Sequence, residues 1–166
     1  RPVISSGVVS SSLGWLMRRP HVPVAMVALI AGQVVMVLVM TMTPLHMTQH
    51  GHGLAAVGVV ISAHVFGMFA LSPISGRLTD RFGSQPVIMA GLAILAGSAV
   101  LSALAPPQGG ALLLVALFLL GFGWSLGYVA GSALLTTGLS LPERTRLQGV
   151  TDALIWSSAA GASLAS

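Results

Sequence analysis

Gly76-Arg77-Leu78-Thr79-Asp80-Arg81-Phe82-Gly83-Ser84-Gln85 separates two long apolar runs and holds three of the ten charged side chains in a 166-residue chain. Charges packed between two hydrophobic runs are expected in a tight aqueous loop at a membrane face. Gly76 and Gly83 frame that loop, where the backbone must turn sharply or come close to a neighbour.

Composition explains why this boundary stands out. Apolar residues make up 55% of the chain and charged residues 6%, with a mean hydropathy of +0.95. A soluble domain carries about 25% charged residues, so this chain lacks the polar surface to cover a globule and must be solvated by lipid. The sequence pI of 11.6 arises from seven Arg against three acids. Those Arg are scattered among the ends of apolar runs instead of forming one basic face, which argues against a nucleic-acid partner. Cysteine is absent, and with it any disulfide framework, thiolate metal site or Cys nucleophile. Lys and Asn are absent too, while Ala, Gly and Arg abound, a usage that points to a GC-rich bacterial genome.

Apolar runs of the roughly 20 residues needed to cross the hydrocarbon core cover approximately 24–47, 54–75, 86–105 and 111–139, and a fifth starts near 152 and is incomplete at 166. The expected fold class is all-α: a polytopic transmembrane helix bundle of about four complete spans plus the start of a fifth. Residues 1–23 are expected to be a cytoplasmic segment, either a linker or a short interfacial helix, because Trp15, Arg18 and Arg19 suit the headgroup zone. Residues 24–166 form a partial bundle. The chain opens on Arg1 and its last apolar run is still in progress at Ser166, so a piece of a longer protein is expected. Short connections make neighbouring spans antiparallel. Arg1, Arg18 and Arg19 precede the first span, Arg77 and Arg81 follow the second, and Arg144 and Arg146 follow the fourth. Alternating spans put all seven on one side, which the positive-inside rule makes cytoplasmic, in a multi-pass protein of the inner membrane.

The spacing G-x-x-x-D-R-x-G, carried by Gly76, Asp80, Arg81 and Gly83, resembles the signature loop of the major facilitator superfamily of secondary transporters. That family usually continues with two basic residues, where this chain has Ser84 and Gln85. The resemblance implies a cytoplasmic loop joining the second and third helices of a six-helix half. The segment with Arg18-Arg19 is similar to the end of the family's central linker. Leu141-Pro142-Glu143-Arg144-Thr145-Arg146-Leu147-Gln148-Gly149 is similar to its loop between the tenth and eleventh helices. By that likeness the spans correspond to helices seven to ten and the start of eleven, in the carboxy-terminal half, with the amino-terminal half missing. In the family the acid of the signature loop latches one half against the other. The resemblance thus implies a gate at Asp80, set among Gly76, Arg77, Arg81 and Gly83.

Further candidates lie inside the spans. Gly123, Gly127 and Gly131 recur every four residues, a flat stripe on which another helix can pack closely, with Gly121 adding to it. Trp124, Tyr128 and Ser132 form a neighbouring stripe. Amphipathic rings prefer the membrane interfaces, so two in mid-span are either a buried pair bonded to helix neighbours or the wall of a cavity. Gln33 lies well inside the first span, where an unpaired amide is costly, among the adaptable side chains of Met36, Met40 and Met42. The family's cavity is lined by these two helices, which implies Gln33, Trp124 and Tyr128 as substrate contacts.

His64 sits mid-span in the second run. An ionisable group there is a functional hypothesis by default, and an imidazole with an ordinary pKa of about 6.5 suits proton coupling. A neutral ring bonded to an adjacent helix is the structural alternative. No carboxylate lies mid-span in this chain, so an acid for coupling is expected in the missing half. His46, His50 and His52 cluster at the external end of the first span, but no acid or Cys accompanies them, and a solvated loop is expected in place of a metal site. No Walker loop, dinucleotide fingerprint or nucleophile elbow is present, so neither cofactor nor ATP is expected.

These readings converge on a transporter and not an enzyme: proton-coupled efflux of small lipophilic molecules by alternating access, resembling bacterial drug antiporters. Its partners are the lipid bilayer, the missing half, a small-molecule substrate and protons. The alternatives are a membrane structural or assembly protein packing through the Gly stripe, and a His-cluster intramembrane metalloenzyme.

Overall fold

A chain solvated by lipid has to satisfy its backbone hydrogen bonds internally, and a helix does so within one segment. The computed structural model, which describes residues 12–106 and 110–165, is helical in that way, with no strand among the described residues. The helices are α1 (Leu13–Met17), α2 (His21–Gln49), α3 (Leu54–Phe69), α4 (Ser72–Phe82), α5 (Ser84–Ala103), α6 (Ala111–Leu135) and α7 (Leu141–Ala165). Among the described residues four stretches are long and apolar enough to cross a membrane: α2, α3 together with α4, α5, and α6. The architecture is an all-α polytopic bundle.

The loop expected over 76–85 is helix for most of its length. α4 continues to Phe82, and the chain reverses at Gly83 alone, where φ is 84°, a conformation that glycine enters without a Cβ penalty. A helix keeps its backbone bonded as it leaves the membrane and still displays charge on one face. Arg77, Asp80 and Arg81 are exposed, whereas Ser75 and Thr79 are buried. The interruption in this span comes earlier, at Ala70 and Leu71. Pro73 has no N–H for the Phe69 carbonyl four residues back, and the Ser72 hydroxyl donates to that carbonyl at 2.9 Å instead.

α6 is the hub, packed against α5, α3, α2 and α4, while α7 lies along α2. Its glycines let backbones meet. A Cβ on Gly121 would overlap the His64 carbonyl oxygen of α3, and one on Gly123 would come within 3.0 Å of the Gly91 carbonyl oxygen of α5. Leu95, Leu117 and Leu120 fill the core between these helices.

Of the segment expected at 1–23, residues 1–11 lie outside the described residues. From Leu13 it forms a short helix whose Leu16 is fully buried with Val22, Leu139 and Leu147. The Arg19 guanidinium lies 4.6 Å from the Trp15 ring centre and donates to the Gly138 carbonyl at 3.1 Å. That bond joins the start of α2 to the turn after α6, so these Arg-bearing ends share one face. α7 starts at Leu141 because Ser140 and Glu143 close a cap: the Ser140 N–H and hydroxyl donate to Glu143 Oε2 at 2.9 and 2.8 Å. This is one half of a capping box.

Candidate functional site

Gln33 is 3% exposed on α2, with an amide that needs a partner at that depth. Trp124 Nε1–H of α6 donates to its Oε1 at 2.9 Å. One turn on, the Tyr128 ring stacks on Trp124 with centroids 4.7 Å apart and planes 17° from parallel, as i and i+4 side chains on one helix face can. The structure therefore brings together the three residues expected at a cavity. The amide nitrogen of Gln33 makes no hydrogen bond with the described residues, and it remains available as a donor beside the rings. Gly127 lies between Trp124 and Tyr128 with open space where a Cβ would be.

The other expected residues are placed elsewhere. His64 is 2% exposed, and its Nδ1–H donates to the Leu117 carbonyl at 3.1 Å. Leu117 precedes Trp124 by seven residues, about 10 Å along α6, so the imidazole is a separate feature on the α3 contact. Asp80 is exposed in the last turn of α4 and forms no ion pair with Arg77 or Arg81; Arg81 lies over the Phe82 ring at 5.4 Å. A carboxylate there meets the negative end of its own helix dipole, so its position does nothing for α4 itself. Of the stripe, Gly123 meets α5, Gly131 meets Leu29 of α2, and nothing lies within 4 Å of where a Cβ on Gly127 would stand, although the Gly127 backbone nitrogen faces Gly91 of α5. The His46 and His50 rings lie 4.2 Å apart, with His50 Nδ1–H donating to the His46 carbonyl. Among the described residues no three His, Cys, Asp or Glu side chains gather to hold a metal.

Two features escaped sequence reasoning. Ser75 of α4 and Ser125 of α6, both fully buried, share a hydrogen bond at 3.1 Å that docks the signature helix on the hub. Nothing in the sequence pairs these two serines. The apolar run expected from near 152 lies within a longer helix, α7, which starts at Leu141. The signal was present: Ser140-x-x-Glu143 is an N-cap signature. A cavity of about 490 Å³ lies away from the rings between α2 and α5, with Met42, His46, Ser102 and Leu113 in its walls. It is mostly apolar and carries no Arg, Asp or Glu, so the Gln33–Trp124–Tyr128 group is the stronger candidate.

Comparison with known proteins agrees with the fold. A family model described as Major Facilitator Superfamily matches residues 2–164. The uncharacterized MFS-type transporter YddS of Bacillus subtilis is 42% identical over 142 residues, covering 85% of this chain and 33% of its own length. The uncharacterized MFS-type transporter YdeG of the same organism is 43% identical over 133 residues, covering 80% and 31%. The riboflavin transporter RfnT of Brucella anthropi is 32% identical over 151 residues, covering 91% and 37%. The chain thus spans about a third of the length of these curated relatives. No solved structure matches. With its helical bundle, its signature helix ending at Gly83 and a family match across nearly its whole length, the chain belongs to the major facilitator superfamily of membrane transporters.

Proposed function

We propose that this chain is part of a secondary transporter that exports planar, lipophilic small molecules in exchange for protons. In such a fold two halves rock around a site near the midplane and expose it to one side at a time. The observation that carries the reading is the Gln33–Trp124–Tyr128 group. Two parallel rings offer a stacking face, and the Gln33 amide nitrogen supplies a donor to orient what stacks there. Riboflavin, the substrate in one relative's name, carries a flat fused ring of the kind such a face accepts. The opposing wall would come from the rest of a longer transporter, with the Arg-bearing ends in the cytoplasm of an inner-membrane protein. His64 would be the proton carrier on this chain and Asp80 the gate. An assembly role through the Gly stripe is less well supported, because Gly121, Gly123 and Gly131 already meet helices of this same chain.

The test is Trp124→Ala in the transporter reconstituted into liposomes. Stacking worth about 0.5–1.5 kcal/mol predicts an affinity for planar aromatic substrates reduced roughly 2- to 12-fold, at unchanged abundance. Trp124→Phe should recover much of that loss. Unchanged affinity in the Ala variant would return the rings to packing.

A further inference from the structure

Arg19 and Arg144 are far apart in the chain, yet their guanidiniums rest on one turn. Arg19 Nη1 donates to the Gly138 carbonyl at 3.1 Å, and Arg144 Nε donates to the Leu139 carbonyl at 3.0 Å. These are consecutive carbonyls in the connection between α6 and α7. Leu16 of α1, buried with Leu139 and Leu147, brings the Trp15 ring to the same place, 4.6 Å from the Arg19 guanidinium carbon. The end of α6 explains why both side chains point here, since the last carbonyls of a helix lack helical partners. It does not explain what meets the rest of each guanidinium. An Arg carries five N–H donors in a planar fork, and among the described residues neither Arg19 nor Arg144 has an ion pair. The acid nearby, Glu143, accepts the N–H and hydroxyl of Ser140, and adjacent side chains on a helix do not face each other. Arg18, Arg19, Arg144 and Arg146 stand against that single acid at this end of the bundle. Two cations held side by side repel, and an anion between them reverses the sign of the interaction.

We propose that Arg19 and Arg144 form a headgroup site for an anionic phospholipid. Guanidinium forks match phosphate oxygens two at a time, and holding each fork on a backbone carbonyl fixes it before the lipid arrives. The surroundings favour a lipid over a soluble anion. Trp15, Met17 and Leu141 are all exposed around the pair, which gives a basic centre with an apolar rim. Trp rings settle at the headgroup level of a membrane, and Trp15 lies directly beside Arg19. The phosphate would sit on the two forks, with the acyl chains passing the apolar rim into the bilayer.

Lipid adducts on the full transporter, released from dodecyl maltoside and weighed by native mass spectrometry, give an apparent Kd for each lipid. The probes are phosphatidylglycerol and phosphatidylcholine with the same acyl chains; both carry a phosphate, and only the first is a net anion. A basic side chain at a membrane surface favours an anionic lipid about fivefold, so the pair should prefer phosphatidylglycerol by roughly tenfold or more. Arg144→Gln, which leaves the Arg19–Gly138 bond in place, should lower that preference about fivefold. Arg19→Gln together with Arg144→Gln should bring the two lipids within about twofold of each other; if that protein does not fold, Arg144→Gln alone decides. Arg77→Gln with Arg81→Gln removes the same charge from α4 and should leave the preference unchanged. An equal loss there makes the preference one of net charge and overturns the site. Equal binding of both lipids by the unaltered transporter also overturns it, as does an unchanged preference in folded Arg144→Gln. Millimolar inorganic phosphate should not displace phosphatidylglycerol. Displacement would make this a site for a soluble anion and overturn the lipid as its occupant.

Discussion

The two sides of α6 are closed in opposite ways. Toward α3 and α5 the contact is backbone on backbone: Gly121 under the His64 carbonyl, Gly123 against Gly91. Toward α2 the contact is made by large amphipathic side chains, with Trp124 bonded to Gln33 and Tyr128 stacked on top, 36% exposed. Association of helices in lipid gains nothing from burying apolar surface and relies on close packing and interhelical hydrogen bonds. The first side combines close backbone packing with the His64–Leu117 hydrogen bond and leaves no room for a ligand. The second uses one hydrogen bond and leaves ring faces, an amide donor and the open space at Gly127. The location of the candidate site thus follows from where Cβ atoms are missing and what occupies the space.

Substitutions can break this contrast, and the largest effect is expected on the closed side. Gly121→Ala places a Cβ onto the His64 carbonyl oxygen, and backbone cannot yield as a side-chain tip would. Overpacking of this kind costs about 1–3 kcal/mol, visible as a lowered unfolding temperature in detergent and a smaller folded fraction in membranes. A stable Gly121→Ala protein would mean that α3 and α6 sit farther apart than described.

Next is the exposed carboxylate of the signature helix. If Asp80 latches onto another helix start, its interaction is worth up to about 2 kcal/mol. Loss of 1–2 kcal/mol shifts a two-state balance roughly 5- to 30-fold. Asp80→Asn should then slow turnover and raise labelling of Ser84→Cys from the cytoplasmic side, with folding intact because Asp80 has no partner among the described residues. Unchanged labelling and rate would remove the gate.

His64 belongs to the closed side but carries a titratable ring. His64→Gln should cost little stability, since interhelical hydrogen bonds in membranes average about 0.6 kcal/mol, and a Gln amide can still donate to Leu117. If His64 carries the coupling proton, the variant binds substrate normally and no longer responds to a pH gradient. A normal response leaves the ring as a tether between α3 and α6.

The smallest effect is expected at Gly127, where nothing lies within 4 Å of an added Cβ. Gly127→Ala should change stability by no more than about 0.5 kcal/mol, against the much larger loss at Gly121. The sharper readout is binding, because a methyl group on Gly127 enters the small space that Trp124 and Tyr128 line with it. Equal destabilisation at Gly121 and Gly127 would erase the contrast between the two sides.

The sequence by itself determined the membrane class, the helical fold and the family resemblance. Each rests on properties summed over long stretches or repeated in local spacing: very few charges, apolar runs of spanning length, and Gly76, Asp80, Arg81 and Gly83 in a fixed pattern. It also picked Gln33, Trp124 and Tyr128 separately, because a polar or amphipathic side chain in mid-span needs a partner whatever the fold. It did not place the turn at 76–85, where local polarity reads alike for a loop and for a helix with one charged face. Only the tertiary structure decided that Gln33 and Trp124 are each other's partner, that Ser75 answers Ser125, and that Cβ atoms on Gly121 and Gly123 would strike different helices while one on Gly127 would meet open space. Each of these is a pairing between segments far apart in the chain, set by how the helices pack side by side, and no local pattern carries that information.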